Sequence, residues 1–94
     1  MISISIIIPV FNEEKTILDI LKKIDLIKSH AELEIIIIND GSTDSTKEIL
    51  DQNSKYYNHI EHLSKNQGKG KAIIEGIKLA SKDFIFFQDA YLEY

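Results

Sequence analysis

Four short apolar blocks, spaced along the whole chain, constrain its fold more than any other feature. They are residues 4–10 (ISIIIPV), 33–38 (LEIIII), 59–63 (HIEHL) and 84–87 (FIFF). The first, second and fourth are nearly continuous runs of β-branched or aromatic side chains, which are typical of parallel strands covered on both faces. HIEHL alternates instead, so it predicts an edge strand with one face in water.

Helical patterns lie between these blocks. In residues 13–28 apolar side chains recur three and four positions apart, Asn12 stands at the expected N-cap, and two glutamates follow it in the first turn, where the helix dipole favours anions. Ser45 and Glu48 have the spacing of a capping box and open a shorter pattern that runs to about Asn53. Both segments are therefore predicted to be helices.

A third helix is expected over residues 69–80. Its apolar face is predicted to consist of Ile73, Ile77 and Ala80. Gly76 indicates close packing against a sheet, because glycine otherwise costs a helix ~1 kcal/mol relative to alanine. The resulting order, β-α-β-α-β-α-β, predicts an α/β fold: a Rossmann-like half-domain with a mainly parallel four-stranded sheet between helices and right-handed crossovers.

Length, charge and cysteine content narrow the class of protein. With 94 residues the chain is long enough for one domain or for part of one. Its formal net charge is −4 and its 11 basic residues are all lysines, which argues against a nucleic-acid surface. The absence of cysteine excludes a disulfide framework and a thiolate metal site. No apolar run approaches the ~20 residues of a transmembrane helix, so a cytoplasmic protein is expected.

Polar residues collect where the predicted strands end. Ligands of open parallel sheets bind outside the carboxyl ends of the strands, and the strings found there are FNEE, NDGSTD, SKNQGKGK and QDAYLE. Asp40 can accept hydrogen bonds from a nucleobase or ribose, and Asp89 suits a divalent cation that also binds diphosphate oxygens. Gly68 and Gly70, with the neighbouring lysines, suit a phosphate. Taken singly, these strings are also consistent with a tight turn, a strand-ending carboxylate and a flexible lysine loop.

Several familiar sites are absent from the sequence. Neither the phosphate-binding string GxxxxGK[ST] nor a GxGxxG after the first strand occurs. His59 and His62 lie three positions apart in a predicted strand, so they should face opposite sides, and a structural or surface role is expected for them. A nucleotide arrangement of another kind is required.

The four strings together resemble the N-terminal part of family 2 glycosyltransferases, which have the GT-A fold. The matching strings are IIIPVFNEE, IIIINDGSTDST, NQGKGKAIIEGIKLA and FIFFQDAYLEY, in order and with suitable spacing. Within the family, the resemblance is to the dolichol-phosphate mannosyltransferase and polyprenyl-phosphate hexosyltransferase branch. It implies transfer of a hexose from a UDP- or GDP-sugar to a polyprenyl phosphate or another acceptor, with Mg²⁺ or Mn²⁺, in the cytoplasm or at the cytoplasmic face of a membrane.

The resemblance also implies roles for individual residues. The nucleotide sugar would be contacted by Pro9, Phe11, Glu13, Asp40, Lys69 and Asp89. The first three would form one nucleotide-contacting loop, and Asp40 would meet the base or ribose. Lys69 would lie near the diphosphate. Asp89 would be the first acid of an Asp-x-Asp motif and the expected metal ligand, and no catalytic residue is assigned.

The sequence departs from the family pattern in two respects. Where the family has QDADLEY, this chain has QDAYLEY, so Tyr91, with an unperturbed pKa of ~10, replaces the second acid and metal binding is expected to be weak or lost. Glu93 is not expected to substitute for it. Family members also continue well past this motif into an acceptor-binding half. Residues 1–94 are therefore expected to be an incomplete glycosyltransferase domain that binds nucleotide at most.

Two other classes of protein stay open at this point. One is a non-catalytic interaction or assembly module that self-associates through the cut edge of its sheet. The other is a receiver-type signalling domain, which shares the α/β order and a strand-end acid at Asp40 but needs a fifth strand with a lysine. Nucleotide affinity, self-association without ligand affinity, and aspartate phosphorylation distinguish the three.

Overall fold

The apolar blocks form one parallel sheet in the computed structural model, which describes residues 1–91. Its five strands are β1 (Ser3–Phe11), β2 (Glu32–Asn39), β3 (His59–His62), β4 (Phe84–Phe87) and β5 (Ala90–Tyr91). The order is β3-β2-β1-β4, and β5 pairs with the carboxyl end of β1. The α/β fold and the edge position of HIEHL are confirmed. The predicted count of four strands is wrong, because β5 is a two-residue strand too short to leave a sequence pattern.

Helices cover both faces of the two central strands. They are α1 (Ile17–Asp25), α2 (Thr46–Gln52) and α3 (Lys69–Leu79), and a 3₁₀ turn (Ser54–Tyr56) follows α2. Alternate β1 residues point to opposite sides, so Ile6 and Ile8 pack with α1 and α2, whereas Ile7 packs with Ala72 of α3. A strand buried on both faces needs an apolar residue at nearly every position, and each buried isoleucine contributes ~1.5–3 kcal/mol.

The first helix begins one turn later than the sequence predicts. Asn12 was the expected N-cap, but its backbone adopts a positive φ of 50° and its side chain accepts a hydrogen bond from the Thr43 amide (2.7 Å). Glu13 and its neighbours form a separate turn, and α1 starts at Ile17 and ends at Asp25. The prediction failed because the amides of Asn12, Glu13 and Glu14 donate to side chains that follow β2, although the Glu13 carbonyl accepts a hydrogen bond from the amide of Ile17 at the start of α1.

The second helix is capped by a different residue from the one predicted. Ser45 makes no side-chain cap, and the predicted capping box with Glu48 is wrong. The carboxylate of Asp44 instead accepts hydrogen bonds from the amide (2.9 Å) and hydroxyl (2.6 Å) of Thr46. Burial raises the pKa of Asp44, but the bonds from Thr46 and from the Glu14 amide outweigh it and lower the pKa overall. A charged carboxylate is thus held at the N-terminus of α2, where the helix dipole favours it.

The third helix contacts the sheet through small residues. Ala72 and Gly76 are its buried positions, whereas Ile77, which was predicted to be buried, is 44% exposed. A Cβ atom added to Gly76 would overlap Cγ2 of Ile7. The close approach predicted from Gly76 is therefore confirmed, and it turns the larger isoleucines away from the centre of the contact.

The fourth strand differs most from its predicted environment. It was expected to be covered on both faces, yet all four of its residues are exposed. β4 lies at one end of the main strand order, and α3 packs over β1 and β2. The continuous apolar run therefore indicated a strand correctly but did not indicate burial within this chain.

A buried carboxylate fastens the amino ends of the strands. Glu34 of β2 is 8% exposed and accepts hydrogen bonds from the Ser5 hydroxyl (2.8 Å) and from the amide (2.9 Å) and hydroxyl (2.8 Å) of Ser81. Nε2 of His59 in β3 lies 3.3 Å from Oε2, the oxygen that also accepts from the Ser81 hydroxyl. Burial raises the pKa of Glu34, but these hydrogen bonds outweigh it and lower the pKa from 4.5 to about 2. One side chain thus connects β1, β2, β3 and the loop before β4.

Substitution of Gly76 by alanine is expected to destabilise the fold. The added methyl group overlaps Ile7, and overpacking of a filled core costs ~1–3 kcal/mol. Gly70→Ala is the matched control in the same helix, since nothing lies within 4 Å of its added Cβ; it should stabilise α3 by ~0.5–1 kcal/mol. Denaturant unfolding measures both values, and equal effects of the two substitutions would contradict the close contact.

Stability should depend on pH through Glu34. Because its folded pKa of about 2 lies below its ordinary 4.5, Glu34 stabilises the fold fully above pH 4.5 and loses this contribution as the pH falls toward 2. Glu34→Gln should cost ~2 kcal/mol at neutral pH, since hydrogen bonds to a charged group are lost, and should flatten the acid limb. Urea unfolding across this pH window tests it. Parallel pH curves for wild type and variant would refute the assignment.

Candidate functional site

Four loops meet at the carboxyl ends of the strands. They are residues 12–16 after β1, 40–45 after β2, 63–68 after β3 and 88–89 between β4 and β5. Side-chain to backbone hydrogen bonds join the first loop to the second and the second to the third, and the Lys69–Asp89 ion pair joins the fourth loop to the start of α3, so the loops form one connected rim. The polar strings predicted to collect at the strand ends do so.

Asp40 lies at the centre of this rim. It is fully buried, and its carboxylate accepts hydrogen bonds from the amides of Gln67 (2.8 Å) and Gly68 (3.0 Å) and from the side-chain amide of Asn66 (3.1 Å). The Tyr91 hydroxyl donates a further hydrogen bond to Oδ2. Asp40 therefore fixes the loop before α3, and a ligand can bond to it only by replacing one of these donors.

Gly41 allows the loops after β2 and β3 to touch. Its φ is +69°, in the left-handed region, and a Cβ atom there would overlap the backbone of Lys65 and Asn66. Only glycine satisfies both the dihedral angle and the space. The NDG string thus serves a close backbone contact between two loops of the site.

The loop after β1 is interlocked with the loop after β2. The Asn12 amide donates to the Ser42 hydroxyl (2.9 Å), and the Glu13 amide donates to the Thr46 hydroxyl (3.0 Å). In the reverse direction, the Ser45 amide donates to the Glu14 carboxylate (3.1 Å). These bonds hold the FNEE segment in a fixed, non-helical path on the rim.

The two carboxylate oxygens of Glu13 differ in their hydrogen bonding. One carboxylate oxygen accepts a hydrogen bond from the Thr16 hydroxyl, whereas Oε2 is buried and has no hydrogen-bond partner in residues 1–91. The side chain borders a cavity of about 470 Å³ whose lining is Asn12, Glu13, Glu14, Lys15, Thr16 and Asp44. This cavity does not reach Asp40, Lys69 or Asp89, so it is adjacent to the predicted nucleotide contacts and not their common centre.

An ion pair and an aromatic pair complete the rim beside Asp40. The ammonium group of Lys69, the first residue of α3, pairs with Oδ2 of Asp89, and the Tyr91 amide donates to Oδ1 of Asp89 (3.0 Å). The rings of Phe11 and Tyr91 lie 6.0 Å apart. Burial, the hydrogen bond to Asp40 and the nearby carboxylates raise the pKa of Tyr91, so its hydroxyl stays neutral at physiological pH.

In the described residues, the expected metal position carries one carboxylate, that of Asp89. Within residues 1–91, no three histidine or acidic side chains form a metal-binding group. The charge of Asp89 is balanced by Lys69, and the neutral hydroxyl of Tyr91 is directed to Asp40. Glu93, the remaining acid near the motif, lies outside the described residues. Asp89 is thus a single carboxylate engaged by a lysine.

The six predicted contact residues do not all reach one place. Asp40, Asp89 and Lys69 are brought together through Tyr91, and Phe11 joins them through its ring contact. Pro9 is fully buried inside β1, which leaves it no exposed surface for the predicted nucleotide contact. Glu13 lies on the neighbouring cavity.

Sequence reasoning missed the central position of Tyr91 and the role of Asn66. Tyr91 was noted only as a missing acid, yet it donates hydrogen bonds to the carboxylates of Asp40 and Asp89. Asn66 stands two positions before the glycine-lysine string, and an amide there was a signal for a loop held by a neighbouring acid. The structural role predicted for the histidines is seen for His62, which lies 3.0 Å from both Asn39 and Asp51.

In the described part of the chain, no helix combines the length and apolar character needed to cross a bilayer. This agrees with the short apolar runs of the sequence.

Known proteins match this chain over most of its length. Poly-beta-1,6-N-acetyl-D-glucosamine synthase of Staphylococcus epidermidis is 41% identical over 88 residues, covering 93% of this chain and 21% of that protein. The protein of the same name from Staphylococcus aureus strain COL is 39% identical over 88 residues. The chain therefore spans about a fifth of the length of these relatives.

Solved structures share the fold. TarS 1-349 of S. aureus in complex with UDP superposes with a TM-score of 0.81 and 31% identity, covering 95% of this chain and 27% of that one. Glucosyl-3-phosphoglycerate synthase of Mycobacterium tuberculosis, in a complex with Mn²⁺ and UDP, gives a TM-score of 0.75 at 25% identity, covering 94% and 33%. The predicted Rossmann-like GT-A fold is thus confirmed.

The relatives also correct the subfamily prediction. They are a polysaccharide synthase and TarS, so the dolichol-phosphate and polyprenyl-phosphate branch is not supported by these matches. The family itself is the one expected from the four strings, which removes the receiver-domain interpretation. Residues 5–94 match the family described as Glycosyl transferase family 2, and this chain belongs to it.

Proposed function

We propose that residues 1–94 are the nucleotide-sugar-binding part of a glycosyltransferase domain and that the sugar donor is UDP-N-acetylglucosamine. The observation that most supports this proposal is that Asp40, Lys69 and Asp89 lie together on one rim, linked through Tyr91. Support for the donor comes from TarS 1-349 in complex with UDP-GlcNAc, which is 31% identical with a TM-score of 0.79. The name of the S. epidermidis relative also contains N-acetylglucosamine.

Lys69 is the proposed diphosphate-binding residue. The side chains of Lys69 and its partner Asp89 are 47% and 38% exposed, so the ion pair is open to solvent and contributes no more than ~1 kcal/mol. A diphosphate carries more negative charge than one carboxylate and can replace Asp89 at little cost. The first turn of α3 adds free backbone amides next to this lysine.

Asp40 and Phe11 are the proposed nucleoside-binding residues. Two donors to Asp40 are side chains that reach solvent, the amide of Asn66 and the hydroxyl of Tyr91, and of these the Tyr91 hydroxyl belongs to β5 and not to the loop before α3. A ribose or base donor can take its place without moving the backbone amides of Gln67 and Gly68. Displacement of Tyr91 also uncovers the ring of Phe11, which can then stack on the base.

Metal dependence is proposed to be weak or lost in this chain. In relatives, a Mn²⁺ or Mg²⁺ ion would neutralise the departing diphosphate. Here Tyr91 supplies no charge, and Lys69 already neutralises Asp89. In our proposal the positive charge opposite the diphosphate therefore comes from Lys69.

For a complete enzyme of this kind we extend the proposal to transfer of the hexose to an acceptor. A growing polysaccharide is one candidate and a polyprenyl phosphate is another, in the cytoplasm or at the cytoplasmic face of a membrane. The remaining length of such an enzyme would supply the acceptor site. A GDP-sugar is the alternative donor.

Calorimetric titration with UDP, once in Mn²⁺ and once in EDTA, tests both the proposed nucleotide binding and the proposed lack of metal dependence. Wild type should bind UDP more tightly than GDP, with similar affinity under both conditions. Tyr91→Asp restores the second carboxylate and should gain at least ~10-fold in UDP affinity with Mn²⁺, about 1.4 kcal/mol. Tyr91→Phe is the control, because it removes the hydroxyl without adding charge.

Absence of UDP and GDP binding to the folded chain would refute the nucleotide proposal and favour the interaction module. UDP binding that requires Mn²⁺ in wild type would refute only the proposal that metal dependence is weak or lost.

Removal of the Lys69 charge should weaken diphosphate binding selectively. Lys69→Gln is expected to lower UDP affinity by ~10-fold or more while leaving uridine affinity unchanged, since a charge-assisted contact is worth ~1.5–3 kcal/mol. Lys71→Gln is the matched control two residues away, where the ammonium group pairs with Glu75. An equal loss from both substitutions would point to general charge attraction instead of a defined contact.

A further inference from the structure

A line of hydrogen-bonded side chains runs from the surface of α2 to the loop after β1. Oδ1 of Asp51 in α2 lies 3.0 Å from Nε2 of His62, and Nδ1 of the same ring lies 3.0 Å from Nδ2 of Asn39 at the end of β2. Oδ1 of Asn39 accepts a hydrogen bond from the Ser42 hydroxyl (2.5 Å), which in turn accepts one from the Asn12 amide (2.9 Å). Two side chains thus connect the imidazole of His62 to a loop of the candidate site.

Fixed donors determine which way the side-chain amide of Asn39 points. The backbone amide of Asn12 can only donate, so the Ser42 hydroxyl accepts from it and gives its own proton to Asn39. The backbone amide of Ser42, another donor, lies 3.4 Å from the same Asn39 atom. That atom is therefore the amide oxygen, and the NH₂ group of Asn39 faces His62.

This orientation of Asn39 allows one protonation state of the ring. Because the NH₂ group can only donate, Nδ1 of His62 must carry no proton and must accept the hydrogen bond. The proton of the neutral ring is then on Nε2, which donates to the Asp51 carboxylate. A doubly protonated ring would place two donors 3.0 Å apart.

The groups around the ring respond differently to its charge. Within residues 1–91, Asp51 of α2 is the charged side chain that bonds to His62, and it favours the imidazolium ion. Asp51 is 53% exposed, so solvent weakens this attraction. Glu61, the acidic neighbour in β3, is directed to the opposite face of the sheet by the alternation of the strand. Asn39 is 2% exposed, so the contact that a charged ring disrupts is the buried one.

We infer that His62 is a positioning residue for the loop after β1 and that it acts in its neutral form. A proton on Nδ1 forces the Asn39 amide to turn over or the ring to leave. If the amide turns, its NH₂ group meets the backbone amide of Ser42, and the contact between Ser42 and Asn12 weakens. Histidine changes its charge between about pH 5 and pH 8, so acidification through this range should loosen the loop.

A long-range ¹H–¹⁵N NMR spectrum of the nucleotide-free chain tests the state of the ring, because it distinguishes protonated from bare ring nitrogens. At about pH 8, Nδ1 of His62 should be bare and Nε2 protonated. As the pH is lowered to about 5, the backbone amide signals of Asn12 and Ser42 should shift with the same midpoint as the ring. The reverse tautomer, or loop signals that do not follow the ring, would overturn the inference.

Two substitutions separate His62 from the other groups that titrate in this range. His62→Gln keeps a neutral acceptor for Asn39 and should abolish the pH response of both loop amides. His59→Gln, the matched control three residues earlier in β3, should leave that response unchanged, because His59 contacts Glu34 at the other end of the sheet. A response that persists in His62→Gln would contradict the role of His62.

The consequence for ligand binding rests on the proposed function, in which Phe11, directly before Asn12, contacts the nucleoside. Uridine affinity should fall about 5-fold from pH 8 to pH 5 in wild type, about 1 kcal/mol, and stay constant in His62→Gln. Uridine is used because the terminal phosphate of UDP itself gains a proton in this range. Equal pH dependence in both proteins would overturn the link to binding. Absence of uridine and UDP binding at every pH would refute the proposed function alone, since the NMR measurements need no ligand.

Discussion

The buried carboxylate of Asp40 holds the ligand-facing side of this protein together. It ends β2 and gathers donors from the loop before α3 and from β5, so three segments far apart in sequence share one acceptor. A buried charge is tolerated only where hydrogen bonds replace its lost hydration. The position of the lysine loop, and with it Lys69, therefore depends on this one side chain.

A second carboxylate has the corresponding position at the other end of β2. Glu34 lies near the start of β2 and Asp40 directly follows its last residue, and each is buried and accepts hydrogen bonds from the backbone of a later loop. The two ends differ in composition. The Glu34 end is closed by serines, whereas the Asp40 end carries glycines, a lysine and a partly exposed tyrosine. The first arrangement is suited to stability, and the second leaves groups that a ligand can displace.

The features that the sequence predicted are those in which one physical requirement dominates. Unbroken isoleucine runs can be satisfied only by strands buried on both faces, so β1 and β2 were predictable, and Gly76 indicated a close helix contact. The later start of α1 was not predictable, because the side chain of Asn12 bonds to Thr43, a partner thirty-one residues away. Nor could the run in β4 reveal its exposure, since an apolar strand looks the same whether its cover belongs to the same chain or to another.

The features of the candidate site likewise divide into those that the sequence predicted and those that it did not. The strand-end location of Asp40, Lys69 and Asp89 follows from topology, and the strings that carry them identify the family. The hydrogen bond from Tyr91 to Asp40 follows from neither, because it depends on how β5 packs beside Phe11. The tyrosine at position 91 thus removes a charge from the Asp-x-Asp motif and forms a contact with Asp40 of another motif. The structure was needed to find that contact.

The central position of β1 has a consequence for the order of folding. β1 pairs with β2 across a connection of about thirty residues, but with β4 across about eighty. The entropic cost of loop closure differs by only ~1 kcal/mol between the two pairings, yet the shorter connection closes first. The paired β1 and β2 then provide the surface whose contacts offset the cost of closing the longer connection. β1, α1 and β2 are then the nucleus, and β4 docks last. A strand that joins late and, within residues 1–91, is bonded on one side is also the first to detach, so we expect partial unfolding of these residues to begin at β4.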